Sequence, residues 1–328
     1  MVPQELCLDQ DALSRSIYGV YEQPIVKERL AKICPPHYFW PIRYKDTHYT
    51  ITIGIPVYNC ERYIKQAVMS VLNQSYKDFE LIITDDGSTD NTLSVLNDIS
   101  DPRLKVLSDG ENHGISYRLN QQIDLARGKY FARMDGDDIM FPDRIEKQLN
   151  FLLSHEEMDA CGSRAVVIGS QNEIIGMRGT SESPNNIAEV FMHGHFIHPT
   201  VMGRTEWFRK YRYREDMCGC EDLDLWIRSH NDSCIGDMDV PSLFYRDPLV
   251  FKLKTFMKRQ RQIAVCYWEN RSLLPTTASI FKCYTKLFIT VVCCFFLWMI
   301  RCDRLWIKRR NVIFNPNEIL QYEKILCA

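Results

Sequence analysis

Four adjacent residues, Asp135-Gly136-Asp137-Asp138, hold the densest chemistry in the chain. A hard divalent cation such as Mg²⁺ or Mn²⁺ takes one or two carboxylates and fills its shell with water and the oxygens of a bound diphosphate. Carboxylates two residues apart can serve different parts of one ligand, one reaching a ribose and the other the metal. Such a metal neutralises charge developing on a departing phosphate. Two other polar clusters are Pro56-Val57-Tyr58-Asn59 and Asp85-Asp86-Gly87-Ser88. Taken alone, each of the three clusters also reads as an ordinary turn, and Asp-Asp-Gly-Ser-Thr-Asp as a turn with a helix N-cap. A fourth candidate, Glu221-Asp222, opens an apolar-periodic segment, Leu223 to Ser229. An acid there is either a helix-terminus charge or a base that takes a proton from an attacking hydroxyl.

The elements around these clusters decide between the readings. Ile51–Val57 is β-branched and closes near a proline, as a strand would. Ile64, Ala67, Val68, Val71 and Leu72 then recur at helical spacing. Phe79–Thr84, Leu104–Leu107 and Tyr130–Met134 are further strand candidates, with helical patterns around Leu93–Leu96 and over Ile115–Ala126. This β-α-β-α alternation predicts a mostly parallel sheet with helices on both faces. Ligands of such sheets bind beyond the carboxyl ends of the strands, where all three clusters fall. Beyond Asp138 the pattern predicts a helix over Phe141–Leu153, strands at Ala165–Ile168 and Ile174–Met177, a helix from Glu221, and a last strand at Ser242–Arg246. No Gly-x-x-x-x-Gly-Lys-Ser/Thr loop occurs and no Gly-x-Gly-x-x-Gly follows the first strand, so P-loop, kinase-like and dinucleotide readings lose their support.

The ordered set Ile53-Gly54-Ile55-Pro56-Val57-Tyr58-Asn59, Ser70-Val71-Leu72-Asn73-Gln74-Ser75-Tyr76, Asp85–Asp90, Asn112-His113-Gly114 and Ala132-Arg133-Met134-Asp135-Gly136-Asp137-Asp138 resembles glycosyltransferase family 2. The resemblance covers roughly residues 50 to 250. It implies a GT-A α/β fold, a nucleotide-sugar donor with UDP the preferred nucleotide, Mn²⁺ or Mg²⁺, and inversion at the anomeric carbon. On the matching positions, Pro56 and Tyr58 would lie along the nucleotide base and Asp86 would hydrogen-bond it. Asp135 would approach the ribose or sugar, Asp137 would hold the metal, and Arg133 would either steady the donor or pair within the acidic cluster. Glu221-Asp222 looks like the family's Glu-Asp motif, which makes Asp222 the base. Glu221 and Trp226 would shape the acceptor or donor-sugar pocket, with His198 beside it and Asp224 solvated or paired locally. The chain then divides into an extension (1–49), a nucleotide-sugar-binding half (50–140), an acceptor-binding half (141–248) and a basic, aromatic-rich helical tail (249–328).

Composition is that of an ordinary globular chain, with a net charge of −2 that hides an asymmetry. Phe251 to Arg310 holds thirteen Lys or Arg against two acids, a local charge of +11 that leaves −13 on the rest. Such a tail suits a polyanionic partner. The 14-residue charge-free run Leu287–Ile300, flanked by Lys282, Lys286 and Arg301, favours an anionic membrane over nucleic acid. The run is short for spanning, so either a helix lying in the interface or one docked on the body is expected. The N-terminal residues show no signal peptide and the thirteen cysteines no disulfide frame, which points to a cytoplasmic protein, peripheral at the inner face of the membrane. His193-x-His195-x-x-His198 and Cys218-x-Cys220 fit neither common structural zinc pattern. The Gln-x-x-Arg-Trp motif of processive synthases is absent. The expected activity is therefore transfer of a sugar to a hydroxyl of a glycan or lipid-linked acceptor. A nucleotidyltransferase making nucleotide sugars and a non-catalytic nucleotide-sugar-binding protein are the rival readings.

Overall fold

A computed structural model describes residues 49–179, 183–247, 250–302 and 311–327; the expected extension, 1–49, lies outside them apart from Tyr49. One nine-stranded sheet organises these residues. Its first half is β1 (Ile51–Val57), β2 (Phe79–Asp85), β3 (Leu104–Ser108) and β4 (Tyr130–Arg133), paired in parallel in the order β3-β2-β1-β4. The connections are helices α1 (Ile64–Leu72), α2 (Thr92–Asn97) and α3 (Ile115–Leu125). Every residue of β1 and β2 is buried, as expected of parallel strands covered on both faces. Ile51, Ile53 and Ile55 join Ile64, Val68 and Val71 of α1 in one core. On the opposite face a Cβ on Gly54 would stand 2.6 Å from the Phe131 ring and 2.5 Å from Gln122 Oε1, so glycine lets α3 lie close to the sheet.

The second half is β5 (Ile139–Met140), α4 (Arg144–Ser154), β6 (Ala160–Ile168), β7 (Ile174–Arg178), α5 (Ile187–His193), β8 (Met202–Arg204), α6 (Thr205–Tyr211), α7 (Glu221–Ser229) and β9 (Ile235–Arg246). β8 joins the halves by pairing antiparallel with both β4 and β6, and β9 runs parallel to β6. The sequence pattern predicts only the last part of β6 and of β9. Cys161-Gly162-Ser163 and Gly236-Asp237 lack β-branched character, and Pro241 falls inside β9. The ladder absorbs that proline through register shifts around Arg164. α4 begins at Arg144, after Pro142, rather than at Phe141.

The basic tail packs on this body. α8 (Leu253–Glu269) and α9 (Thr277–Met299) pack against each other, and α10 (Pro316–Cys327) lies beside β7. Asp224 of α7 ties α8 down and is not solvated. It is fully buried, its Oδ2 accepting from Arg228 Nε at 2.7 Å and its Oδ1 from Asn270 Nδ2, at the end of α8, at 3.0 Å. α9 outruns the charge-free segment and is long and apolar enough to cross a membrane, with a mean hydropathy of 1.8 over its most apolar window, of which 11% is buried. Ile280, Tyr284 and Leu287 dock on the core formed by α3, α5, α6 and α7, whereas Phe288, Phe295, Phe296 and Trp298 are exposed.

Removing the Asp224 carboxylate takes from Arg228 its counter-charge and leaves Asn270 Nδ2 only the Cys266 carbonyl as a close acceptor. Asp224→Ala should cost about 3 kcal/mol in chemical denaturation, and Asp224→Asn, which still accepts from Asn270, clearly less. Wild-type stability in Asp224→Ala would show that this clamp does not hold the tail.

Candidate active site

The ends of β1, β2 and β4 converge because parallel pairing brings Val57 beside Asp85 and Gly54 beside Arg133. Asp86 N donates to Val57 O at 2.8 Å, locking the first two loops together. Asn59 reinforces this, with its N donating to Ser88 Oγ at 2.9 Å and its Oδ1 accepting from Thr89 N at 2.8 Å. Pro56 is buried in β1, and Tyr58, just beyond, is half exposed. The Asp86 carboxylate is built into the fold: Oδ1 accepts from His113 N (2.8 Å) and Arg118 Nε (2.9 Å), and Oδ2 from Gly114 N (3.0 Å). Arg118 is buried and also pairs with Asp109, whose carboxyl it holds down at about 2. Neither Arg118 nor Asp109 stands out in the sequence, since an arginine on the buried face of an amphipathic helix gives no local signal.

The acidic loop follows β4. Gly136 packs so closely that a Cβ there would meet Val57 Cγ1 at 2.8 Å, which presses the loop onto the end of β1. Arg133, fully buried, pairs with Asp135, and its Nε has no partner among the described residues. Asp138 is buried and its Oδ1 accepts from Arg246 N at 2.8 Å; burial and then the charges of Asp135 and Asp137 push its carboxyl well up. Asp137 is partly buried and forms no ion pair among the described residues. Burial first, then the Asp135 charge, push it up to about 6. A half-open carboxylate raised by burial and a neighbouring charge is one that a bound cation would return to its charged form. Among the described residues no three His, Cys, Asp or Glu converge on one point. Asp137, partly open and beside Asp135, is the carboxylate of this loop that could hold Mg²⁺ or Mn²⁺, a cation that takes one or two carboxylates and completes its shell with substrate oxygens.

Beside this loop lies a cleft of about 600 Å³. Arg133, Asp135, His198, Glu221, Asp222 and Trp226 all line it, whereas Pro56, Tyr58, Asp86 and Asp137 do not and lie on the adjoining strand ends. Gly219, at φ +91°, turns the chain into α7, and its N donates to a Glu221 carboxylate oxygen at 2.7 Å. Burial and then the Asp222 charge raise Glu221. Asp222 is half-buried, one oxygen accepting from Leu223 N at 2.8 Å. Trp226 is buried, edge-on to Phe196 at 5.0 Å, and its indole N–H has no partner among the described residues. His198 is buried with Nε2 2.9 Å from Tyr213 Oη, and burial, then the Arg133 charge, depress its pKa far below the usual imidazole range. The sequence reading misses Arg178, Tyr245, Arg259 and Tyr267, which line the same cleft from β7, β9 and α8.

The Glycosyl transferase family 2 model matches residues 52–213, from β1 to just short of Glu221. The putative glycosyltransferase EpsE of Bacillus subtilis is 33% identical over 244 residues, 70% of this chain and 86% of that protein. The chain belongs to glycosyl transferase family 2. This glycosyltransferase is also 41% identical to the hyaluronan synthase of Pasteurella multocida over 182 residues, which are 54% of this chain but 18% of the synthase. Its fold matches a crystal structure of S. aureus TarS 1-349 in complex with UDP-GlcNAc, with a TM-score of 0.52 and 20% identity over 66% of each chain.

Behind the cleft wall, Asp237 of β9 and His195 face each other in the interior, Oδ2 and Nδ1 3.9 Å apart and both without a hydrogen bond among the described residues. Burial pushes Asp237 up to about 7 and His195 down to about 4. A raised carboxyl binds its proton more tightly folded than unfolded, so its contribution is fully favourable below about pH 4 and is lost as pH rises toward 7. Asp237→Asn should therefore gain on the order of 2–4 kcal/mol over wild type at pH 8 but little at pH 4, read by denaturant melts. An equal effect at both pH values would contradict a neutral buried Asp237.

Proposed function

We propose that this chain is an inverting glycosyltransferase that moves a sugar from a UDP-sugar to a hydroxyl of a glycan or lipid-linked acceptor. The observation that carries the reading is that Asp135, at the end of β4, and Asp222, on α7, line one cleft. UDP is supported by the TarS fold, seen with UDP-GlcNAc, and a glycan acceptor by the likeness to hyaluronan synthase. In this reading the uridine rests against Pro56, Tyr58 and Asp86 beyond β1 and β2, and Asp135 reaches the ribose or sugar. Asp137 is the residue that would hold Mn²⁺ or Mg²⁺; a bound cation supplies positive charge to the diphosphate as its bond to the sugar breaks.

The acceptor hydroxyl enters from the α7 side. As its oxygen attacks the anomeric carbon on the face opposite the diphosphate, the Asp222 carboxylate takes its proton, and the configuration inverts. Glu221, buried and raised, adds little negative charge beside that base and fixes the turn through Gly219. Trp226 and Arg133 wall the cleft, the indole N–H and the guanidinium Nε each buried without a partner among the described residues.

The exposed half of α9 supports peripheral attachment to an anionic membrane at the cytoplasmic face. With Ile280 to Leu287 docked on the body, the remainder is about 20 Å long, short of the roughly 30 Å hydrocarbon layer. The helix would then lie in the plane of one leaflet's interface, with Lys282 and Arg301 both near its headgroups.

Asp222→Asn should lower UDP release in the presence of membrane extract by about 10²- to 10⁴-fold while UDP-sugar binding stays intact. Full turnover would refute the base. Phe295→Glu combined with Trp298→Glu in the full chain should abolish flotation with anionic liposomes, and undiminished flotation would rule out insertion of α9.

A further inference from the structure

Three arginines line the cleft, and they are not equivalent. Arg133 is committed to Asp135. Arg178 is committed to Asp247 at 2.8 Å and to Asn311 Oδ1 at 3.0 Å. Arg259 is exposed and makes no ion pair or hydrogen bond with any described residue. The helix that carries it is nonetheless held in place. Arg259, Ile263 and Tyr267 recur every four residues along one face of α8, and all three line the cleft. Tyr267 Oη donates to Phe191 O at 2.5 Å, and Asn270 ends the helix on Asp224. A guanidinium carried into a cleft on a clamped helix, and paired with none of the acids that line it, is suited to an oxyanion arriving with a ligand.

The cleft also indicates which ligand. Arg259 shares it with Phe191 and His193 of α5 and with Asp222 and Trp226 of α7, and not with Tyr58, Asp86 or Asp137. Asp135 lines the cleft too, but α8, which carries Arg259, packs against α7, the helix of Asp222, so Arg259 stands on the side of the attacking hydroxyl. The rest of α8 reinforces the sign: Lys254, Lys258 and Arg261 have only Glu269, at the far end, to offset them. The half-exposed α9 lies directly against α8.

We propose that Arg259 is an acceptor-binding residue that recognises a phosphate, so that the molecule receiving the sugar carries a phosphate group near its reacting hydroxyl. This rests on the transfer reading above. The phosphate comes either from a membrane lipid, whose chain would run along α8 toward α9, or from a water-soluble phosphorylated glycan; the chemistry at Arg259 is the same.

The test uses full-length protein saturated with UDP and Mn²⁺, and citronellyl phosphate as probe, with binding followed by calorimetry. Arg259→Gln should weaken the probe about tenfold, the loss expected of one charge-assisted hydrogen bond, and Arg259→Lys should restore part of it. Citronellol, the uncharged counterpart, should bind wild type and variant alike. Glycerol phosphate that competes at similar concentration assigns the phosphate to a soluble glycan, and failure to compete assigns it to a lipid; both outcomes uphold a phosphate-bearing acceptor. Equal binding of citronellyl phosphate by wild type and Arg259→Gln would overturn the proposal. So would a loss confined to UDP affinity, which would assign Arg259 to the donor. Failure of wild type to bind UDP would instead overturn the transfer reading, while the comparison of citronellyl phosphate between wild type and variant would still read out Arg259.

Discussion

The structure depends on keeping three carboxylates, Asp135, Asp137 and Asp138, within four residues at a largely dry strand end. Burial first, and then the like charges at that spacing, raise the carboxyls of Asp137 and Asp138. Much of the surrounding architecture answers this. Arg133 pairs with Asp135 from below. Arg246, at the end of β9, donates its N to Asp138 and its Nε to the Asp137 carbonyl at 2.7 Å. Buried Arg144, pushed down to about 9 by burial, donates to the Arg133 carbonyl at 2.9 Å. These cations come from β4, β9 and α4, so both halves of the sheet must close before the loop is held. Neither Asp137 nor Asp138 has an ion pair among the described residues; Asp138 is buried and bonded to the Arg246 backbone, whereas Asp137 is partly open, so it is where a cation can reach.

The same closure makes the cleft. β8 bridges β4 to β6, and this brings α7 and its Asp222 alongside the loop that carries Asp135. α8 then supplies a further wall, fastened through Asn270 to the third acid of the Glu-Asp-Leu-Asp segment. Asp222 is left for the cleft while Asp224, two residues later on the helix, faces inward and holds the tail. Two acids in one short motif thus divide into chemistry and anchorage by helical geometry alone.

What the sequence reveals follows the range of the interactions involved. The parallel half is legible because β-branched runs, helical periods and polar strand ends are local patterns. Asp135, Glu221, Asp222, Trp226 and His198 are legible as a set through family resemblance, and the structure brings them to one cleft. The first parts of β6 and β9 are hidden, because Gly236, Asp237 and Pro241 are tolerated only through pairing with a distant strand. Arg118 is missed because its function is to brace Asp86 from a helix face that reads as core. Arg178 and Arg259 are missed because sheet pairing and the return of the tail bring them to the cleft from distant parts of the chain. α9 is underestimated for a different reason: Lys282 and Lys286 interrupt its apolar run but not its helix.

Isothermal calorimetry of a UDP-sugar binding to the full-length protein in Mn²⁺ tests the central claim most directly. The account predicts clear uptake that is lost on chelation and in Asp137→Ala, with the Asp137→Ala fold intact by circular dichroism. Uptake that is indifferent to chelator and to Asp137→Ala would contradict it.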